Sequence, residues 1–308
     1  MEQRVNNACL ANRLDIVNGA KYAFFVVRAD VAPFRIRTLQ ETGCVSLTRF
    51  DHPSGATLTD SEEQAAERFQ INIVERGWFR LGYGRCEWTL GAGSVFLSRP
   101  GDVYRYSHIR HLQPDTCLTL GFSISLAAEL AAIFKRLKLV LPLTNRLGFL
   151  RLQLCAGAAN DVPMALDTLA WDFLDAADNV RNDSHRLYRP EQLKWYAQRI
   201  GAARELMDLN PAYQHSLWHL ASRVAMSPFL FARVFRELVG TPPHKYLIHL
   251  RLQRARVLLE SGMSVTEVCY AVGFNNLSHF IRTFRAYYGA VPSRLKASKP
   301  ARYRGPVQ

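Results

Sequence analysis

Between Ser216 and Pro292 the chain repeats itself. SLWHLASRVAMSPFLFARVFRELVGTPP and SVTEVCYAVGFNNLSHFIRTFRAYYGAVP align at an offset of 48 residues, which becomes 49 after one inserted residue near the start of the second helix. Each copy reads as a short helix, a tight turn and a second helix. Leu217, Leu220, Ala221 and Val224 fall on Val265, Val268, Cys269 and Val272. Phe231, Phe235, Gly240 and Pro243 fall on Phe280, Phe284, Gly289 and Pro292. A skeleton of apolar positions recurring in order restricts this region to two similar helical hairpins, each closing on its own apolar face.

The opposite faces carry the functional signal. In the second helix of the first copy, Phe231, Phe235 and Leu238 share one side, which turns Phe229, Ala232, Arg233 and Arg236 outward. In the second copy Phe280, Phe284 and Tyr287 are expected inside, with Ser278, Ile281, Arg282 and Arg285 outside. Arginines spaced alike on two helices, each preceded by a short helix and a turn, match the layout of two helix-turn-helix units presenting a helix to the DNA major groove. Between the copies, Pro243 opens a helix reaching about Glu260. Its 18 residues span about 27 Å, against about 34 Å between successive major grooves on one side of DNA.

Charge supports this reading. The chain holds 39 Lys and Arg against 26 Asp and Glu, a net +13. From Trp195 to Gln308 there are 16 basic and 5 acidic residues, so +11 of the excess lies with the repeat. A basic segment of this kind displaces counterions from phosphates. A membrane surface is a poorer partner, because the apolar faces are already needed to close each hairpin. No run of 18 apolar residues occurs, and MEQRVNNACLANRLD lacks the pattern of a signal peptide, so a cytoplasmic location is expected.

The N-terminal third reads as β. Alternating stretches run at Phe34 to Leu39, Val45 to Phe50, Phe69 to Val74, Trp78 to Tyr83, Cys86 to Leu90, Ser94 to Leu97 and Cys117 to Phe122. Short strands punctuated by glycine suggest a small barrel or sandwich able to hold a ligand. Trp78, Tyr83, Trp88, Tyr104 and Tyr106 are candidates to line it. Helices are expected at Leu126 to Leu139 and Val162 to Val180. The second is rich in aspartate and suited to packing on the barrel or on a second subunit. The polar stretch Asn179 to Pro190 is the expected linker, and a helix from Glu191 to Leu209 stops at Asn210 and Pro211. Six cysteines without a Cys-x-x-Cys pair read as reduced thiols, with Cys86 and Cys117 the candidates for a thiol sensor.

From about Trp195 to Lys296 the residues resemble the AraC/XylS family of bacterial transcription regulators. MSPFLFARVFRELVGTPPHKYLIHLRLQRARVLLE is similar to the family's first reading helix plus spacer, and VTEVCYAVGFNNLSHFIRTFRAYYGAVPSRLK to its second unit. Cys269 and Tyr270, and the ending Ser293, Arg294, Leu295 and Lys296, depart from the usual pattern. LGAGSVFLSRPGDVYRYSH also resembles the cupin-like turn of the family's effector domain, through Pro100 and Gly101 and a following strand. His108 and His111 follow that turn without the upstream His-x-His partner of metal-binding cupins, so neither metal nor another cofactor is expected.

The resemblance implies an α+β chain: a cupin-like small β-barrel with following helices, then an all-α domain of two helix-turn-helix units joined by a long helix. Expected boundaries are 1–182 for the effector-sensing barrel and dimerisation helices, 183–192 for the linker, 193–298 for the DNA-binding domain and 299–308 for a tail. Base edges would be met by Phe229, Ala232 and Arg233 in the first unit and by Ser278, His279 and Arg282 in the second. Arginine can donate two hydrogen bonds to guanine, and Phe229 and Ala232 can pack on thymine methyls. Ser227, Arg236, Asn276 and Arg285 would meet phosphates. The implied protein is a homodimeric, non-enzymatic regulator of promoter DNA. It is read as an activator that touches RNA polymerase and answers to a small-molecule effector. The competing readings are a cupin-type metalloenzyme with a basic appendage and an architectural DNA binder without effector.

Overall fold

The computed structural model describes residues 14–17, 20–23, 35–52, 62–107, 114–160, 164–180 and 186–294. The chain divides into two compact units, Met1–Arg189 and Pro190–Gln308. Residues 181–185 of the expected linker, the 299–308 tail, Cys9, His108 and His111 lie outside the described residues.

In the first unit, β1 (Leu14–Val17) and β2 (Ala20–Ala23) pair as a two-stranded ribbon. A six-stranded antiparallel sheet is built from β3 (Arg35–Glu41), β4 (Val45–His52), β6 (Gln70–Arg76), β9 (Val95–Ser98), β11 (Asp115–Phe122) and β12 (Val140–Leu141). Its order is β12-β9-β6-β11-β4-β3. A four-stranded antiparallel sheet holds β5 (Glu62–Ala65), β7 (Trp78–Tyr83), β8 (Cys86–Gly91) and β10 (Val103–Ser107) in the order β5-β10-β7-β8. Alternate residues of the two sheets share one core, with Val74, Phe96 and Cys117 from the larger and Phe79, Leu81 and Tyr104 from the smaller.

The other face of the larger sheet is covered by α1 (Ala127–Arg136), α2 (Asn145–Asn160) and α3 (Leu166–Asp178). Phe122 packs on Phe134 of α1 at 6.2 Å between ring centroids and on Trp171 of α3 at 6.4 Å. With both faces covered, all eight residues of β11 are buried. The apolar side of α3 is thus spent within its own unit, and α2 packs beside it. Two of the aspartates of α3 form ion pairs: Asp175 with Arg146 at 2.7 Å and Asp178 with Arg136 at 3.2 Å.

Several elements depart from the strands and helices read from the sequence. β5 has the composition EEQA, which carries no strand signal, and it forms as a charged edge. Arg105 of β10 lies opposite Glu63 there and pairs with it at 3.5 Å. α2 contains two glycines and is only weakly amphipathic in sequence, yet Leu147, Leu150, Leu154 and Ala158 line up on one buried side. α1 and α3 are shorter than the expected helices, ending at Arg136 and beginning at Leu166.

The second unit is helical: α4 (Pro190–Leu209), α5 (Leu217–Arg223), α6 (Pro228–Val239), α7 (Pro243–Glu260), α8 (Val265–Ala271) and α9 (Leu277–Tyr288). Since α4 begins at Pro190, the compact unit takes in positions that the expected 183–192 linker covers. Both repeats form helix-turn-helix pairs, α5 with α6 and α8 with α9, joined by α7. No described helix is long and apolar enough to cross a membrane.

Candidate nucleic-acid interface

Local chemistry sets where each reading helix begins and ends. Ser227 caps α6 by accepting from the Leu230 amide at 3.4 Å, and Asn276 caps α9 by accepting from the His279 amide at 2.8 Å. Gly240 and Gly289 close the two helices in the left-handed conformation, at φ 84° and 72°. The turns before them correspond closely. Ala225 at φ 51° stands where the second copy has Gly273 at φ 88°, and the buried Met226 matches the buried Phe274. The inserted residue is Asn275, within the turn and ahead of the cap.

The first core takes the residues expected of it, and the second departs at two positions. Phe231, Phe235 and Leu238 are fully buried on α6, and Phe280 and Phe284 on α9. Tyr287, expected inside, is instead 44% exposed and lies against the His249 ring at 5.0 Å, while Tyr288 packs on the core. The helical advance from Phe284 is the reason: i+4 remains on the buried stripe, whereas i+3 has turned toward α7. Ile281, expected outside, is half-buried against the same core.

The outward faces carry the basic and small residues. On α6, Phe229 is 83% exposed, Arg233 and Arg236 are exposed, and Ala232 lies half-buried between them. On α9, Ser278, His279, Arg282 and Arg285 are exposed. Ser278, Ile281, Arg282 and Arg285 share a shallow concavity with Ala286, Gly289 and Val291. Ser227 and Asn276 are exposed, and each spends a side-chain oxygen on its cap. The Ser227 hydroxyl proton and the Asn276 amide protons stay on the donor side, the polarity a phosphate needs at a helix start.

Sequence reasoning passed over Arg251. It sits on α7 in register with Leu247, Ala255 and Leu259, all buried, and is itself only 8% exposed. An arginine standing on the core stripe of a helix was the available signal. Its Nε donates to the Pro211 carbonyl at 2.8 Å and its Nη2 to the Tyr213 carbonyl at 3.0 Å.

In the first unit, four of the five candidate effector residues, Tyr83, Trp88, Tyr104 and Tyr106, meet in the core between the sheets. Trp78 does not join them. Strand alternation puts Phe79 and Leu81 inside and leaves Trp78 on the outer face, 44% exposed. Tyr83 and Tyr104 stack at 5.3 Å, and both hydroxyls donate to Asp102, at 3.0 and 2.9 Å. Burial pushes the Tyr104 and Tyr106 phenols well above their ordinary range. Alongside lies a polar strip facing the same interior: Thr119 donates to Asn72, and Asn72 donates to Ser98, both at 2.8 Å. Asp102 is held by the Arg99–Asp102 turn, where Gly101 takes φ 83° and the Asp102 amide donates back to Arg99. Among the described residues no group of three or more His, Cys, Asp or Glu side chains is placed to hold a metal ion. Cys86 is exposed, while Cys117 is buried in the core between the sheets and its thiol is pushed far up by desolvation and by Asp115.

Two family models match this chain, an AraC-like ligand binding domain over residues 55–171 and a helix-turn-helix domain over 220–298. Together they cover more than half of it, in the order that the two compact units take. The chain belongs to the AraC/XylS family. Among AraC/XylS relatives, the Msm operon regulatory protein of Streptococcus mutans is 22% identical over 248 residues, covering 75% of this chain and 84% of that one. The transcriptional regulator GadX of Escherichia coli is 36% identical over 85 residues, 27% of this chain and 31% of that one. The match spans 28% to 31% of the length of the first relatives. An AraC-type regulator structure from Chromobacterium violaceum is 33% identical, covers 32% of this chain and 90% of that one, and has a TM-score of 0.31.

Proposed function

We propose that this chain is a ligand-responsive transcription regulator that grips promoter DNA with α6 and α9 and takes a small-molecule effector between the two sheets of its N-terminal unit. One observation carries the reading. Matched arginine pairs, Arg233 with Arg236 and Arg282 with Arg285, stand exposed on the second helices of two helix-turn-helix pairs within a segment of net charge +11. In this reading Phe229, Ala232, Arg233, Ser278, His279 and Arg282 meet base edges, and Ser227, Arg236, Asn276 and Arg285 meet phosphates. The effector site draws on Tyr83, Trp88, Tyr104 and Tyr106. Its hydroxyl and amide groups beside aromatic rings, with the Asp102 carboxylate already held by Tyr83, Tyr104 and Arg99, suit a small neutral molecule with one apolar side.

Family membership supports a non-enzymatic, cytoplasmic homodimer that activates transcription by touching RNA polymerase. Selection of duplexes from a random library, followed by footprinting, tests the DNA half. Protection across two consecutive helical turns is expected, and no protection at any salt concentration would overturn it. Thermal-shift screening of neutral metabolites against the full chain tests the effector half, since a ligand stabilises the state it binds. Stoichiometric iron, manganese or zinc in the purified protein would favour a cupin-type metalloenzyme instead.

A further inference from the structure

The proposed reading of DNA asks two helices to enter two grooves at once, and α7 alone does not fix their relative pose. Each helix-turn-helix pair closes on its own apolar cluster, and a single connecting helix leaves bending and rolling at its two ends. A second connection exists. The strap Pro211–Gln214, which runs from α4 into α5, lies across the middle of α7 and against the turn of the second repeat.

Three contacts hold the strap. Arg251 of α7 donates to its Pro211 and Tyr213 carbonyls at 2.8 and 3.0 Å, and the same guanidinium lies 6.0 Å from the centre of the Phe274 ring in the second repeat's core. Gln214 donates through Nε2 to the Gly273 carbonyl at 3.0 Å and to Asn275 at 3.4 Å. Gly273 approaches so closely that a Cβ there would stand 2.4 Å from the Ala212 carbonyl oxygen. On the other side, the Tyr213 ring packs on His219 of α5 at 5.7 Å. A path of direct contacts therefore runs from the first repeat through Tyr213 and Arg251 to the turn that sets α9.

We infer that Arg251 and the Pro211–Gln214 strap lock the two reading helices at one separation and angle, making half-site spacing a quantity this chain selects. Two charge-assisted hydrogen bonds from one planar, buried guanidinium fix position and orientation together. Rigid coupling raises the effective concentration of the second helix at its groove when the spacing is correct, and that advantage vanishes when the spacing is wrong. Arg251 is a positioning residue here and touches no DNA.

The inference rests on the two-groove reading, and the test separates the two. A duplex selected by the full-length wild-type protein is compared with versions carrying one or two base pairs inserted between the half-sites, and with isolated half-sites. Wild type should lose about tenfold or more on insertion. Arg251→Met should bind the native spacing about tenfold more weakly, respond little to insertion and keep wild-type affinity for an isolated half-site. Gln214→Ala, a change at an exposed side chain that leaves the Arg251 bonds to the strap in place, should shift the same way to a smaller degree, which guards against a folding failure in Arg251→Met. Equal losses on half-sites and on the full site in both variants would reduce the strap to a structural role and overturn the inference. An unchanged spacing preference in both would do so too. A wild type that binds single half-sites but ignores spacing sinks the lock alone, and one that binds no duplex sinks the DNA reading beneath it.

Discussion

Burial divides the arginines of the helical unit into two kinds. Arg233, Arg236, Arg282 and Arg285 are exposed, whereas Arg251 is enclosed and bound to carbonyls. Arg233→Ala should cost about 1–3 kcal/mol at the cognate site and relax discrimination at one base pair, while Arg285→Ala should weaken all sequences alike. Titrations on cognate and scrambled duplexes check both, and equal behaviour of the two variants would break the division between base and phosphate contacts. The turns offer a second comparison. Ala225 is held at φ 51°, where a Cβ is strained, and its counterpart Gly273 at φ 88° is not. Ala225→Gly should stabilise by about 0.5–1 kcal/mol after the added freedom of the unfolded chain is counted. Gly273→Ala should cost about 2 kcal/mol or more, because backbone stands in the way of the new methyl. Urea melts of the two variants read out both signs. His249 adds a pH dependence. Burial, and then the nearby Lys245 charge, hold its folded pKa below the ordinary 6.5. As pH falls, the unfolded chain therefore takes up the proton first. The contribution is intact above pH 6.5 and erodes below it. His249→Phe, which keeps a ring against Tyr287, should flatten the fall in melting temperature between about pH 7.5 and 5.5. An unaltered acid limb would show that other groups set it.

At the scale of elements, the connections between sheets and helices depend on a few polar groups. Arg99 donates to the Phe134 carbonyl through Nε and Nη2 and to the Leu137 carbonyl at 3.0 Å, closing the end of α1 while its backbone starts the turn that holds Asp102. Arg99→Ala leaves those carbonyls without their donor and should cost about 1–3 kcal/mol. Circular dichroism melts of the full chain measure it, and a loss below about 0.5 kcal/mol would mean that water replaces the guanidinium at no cost. These polar closures were hidden in the sequence, because hydrogen bonds spanning 35 residues have no local signature. What could be read was periodicity. The helices of the repeat declare themselves by apolar spacing and by Ser, Asn and Gly at their ends, and most strands by alternation. α2 escaped because its glycines dilute the pattern, and β5 because an edge strand of Glu and Gln owes its form to its neighbour β10. On the interface, exposure followed from spacing for the arginines. Tyr287 and Ile281 sat at the margin of the stripe, where neighbouring α7 and the core decide the side. Residue type alone groups Trp78 with the aromatics of the inter-sheet core, whereas its alternation with Phe79 and Leu81 puts it outside.

For the whole molecule, the charge is divided as the chain is divided. Pro190–Gln308 carries a net +11 and the remainder +2, so electrostatic attraction to a polyanion belongs to one compact unit. Binding through that unit should therefore show the salt dependence of counterion release. If two reading helices and their caps neutralise about four to eight phosphates, a plot of log affinity against log salt should have a slope of about −4 to −7. Arg236→Ala and Arg285→Ala, at matched positions in the two repeats, should each lower the magnitude of that slope by about one. The double variant should lower it by about two, since residues on separate helices with no shared partner act independently. Fluorescence anisotropy on one selected duplex between about 50 and 200 mM salt measures this, a range over which several phosphate contacts change affinity by orders of magnitude. The pattern among the variants discriminates between modes of attachment. If only the second repeat bound, Arg285→Ala would move the slope and Arg236→Ala would not. A membrane or nonspecific polyanion mode, in which the whole basic surface acts diffusely, would give a slope insensitive to either single change.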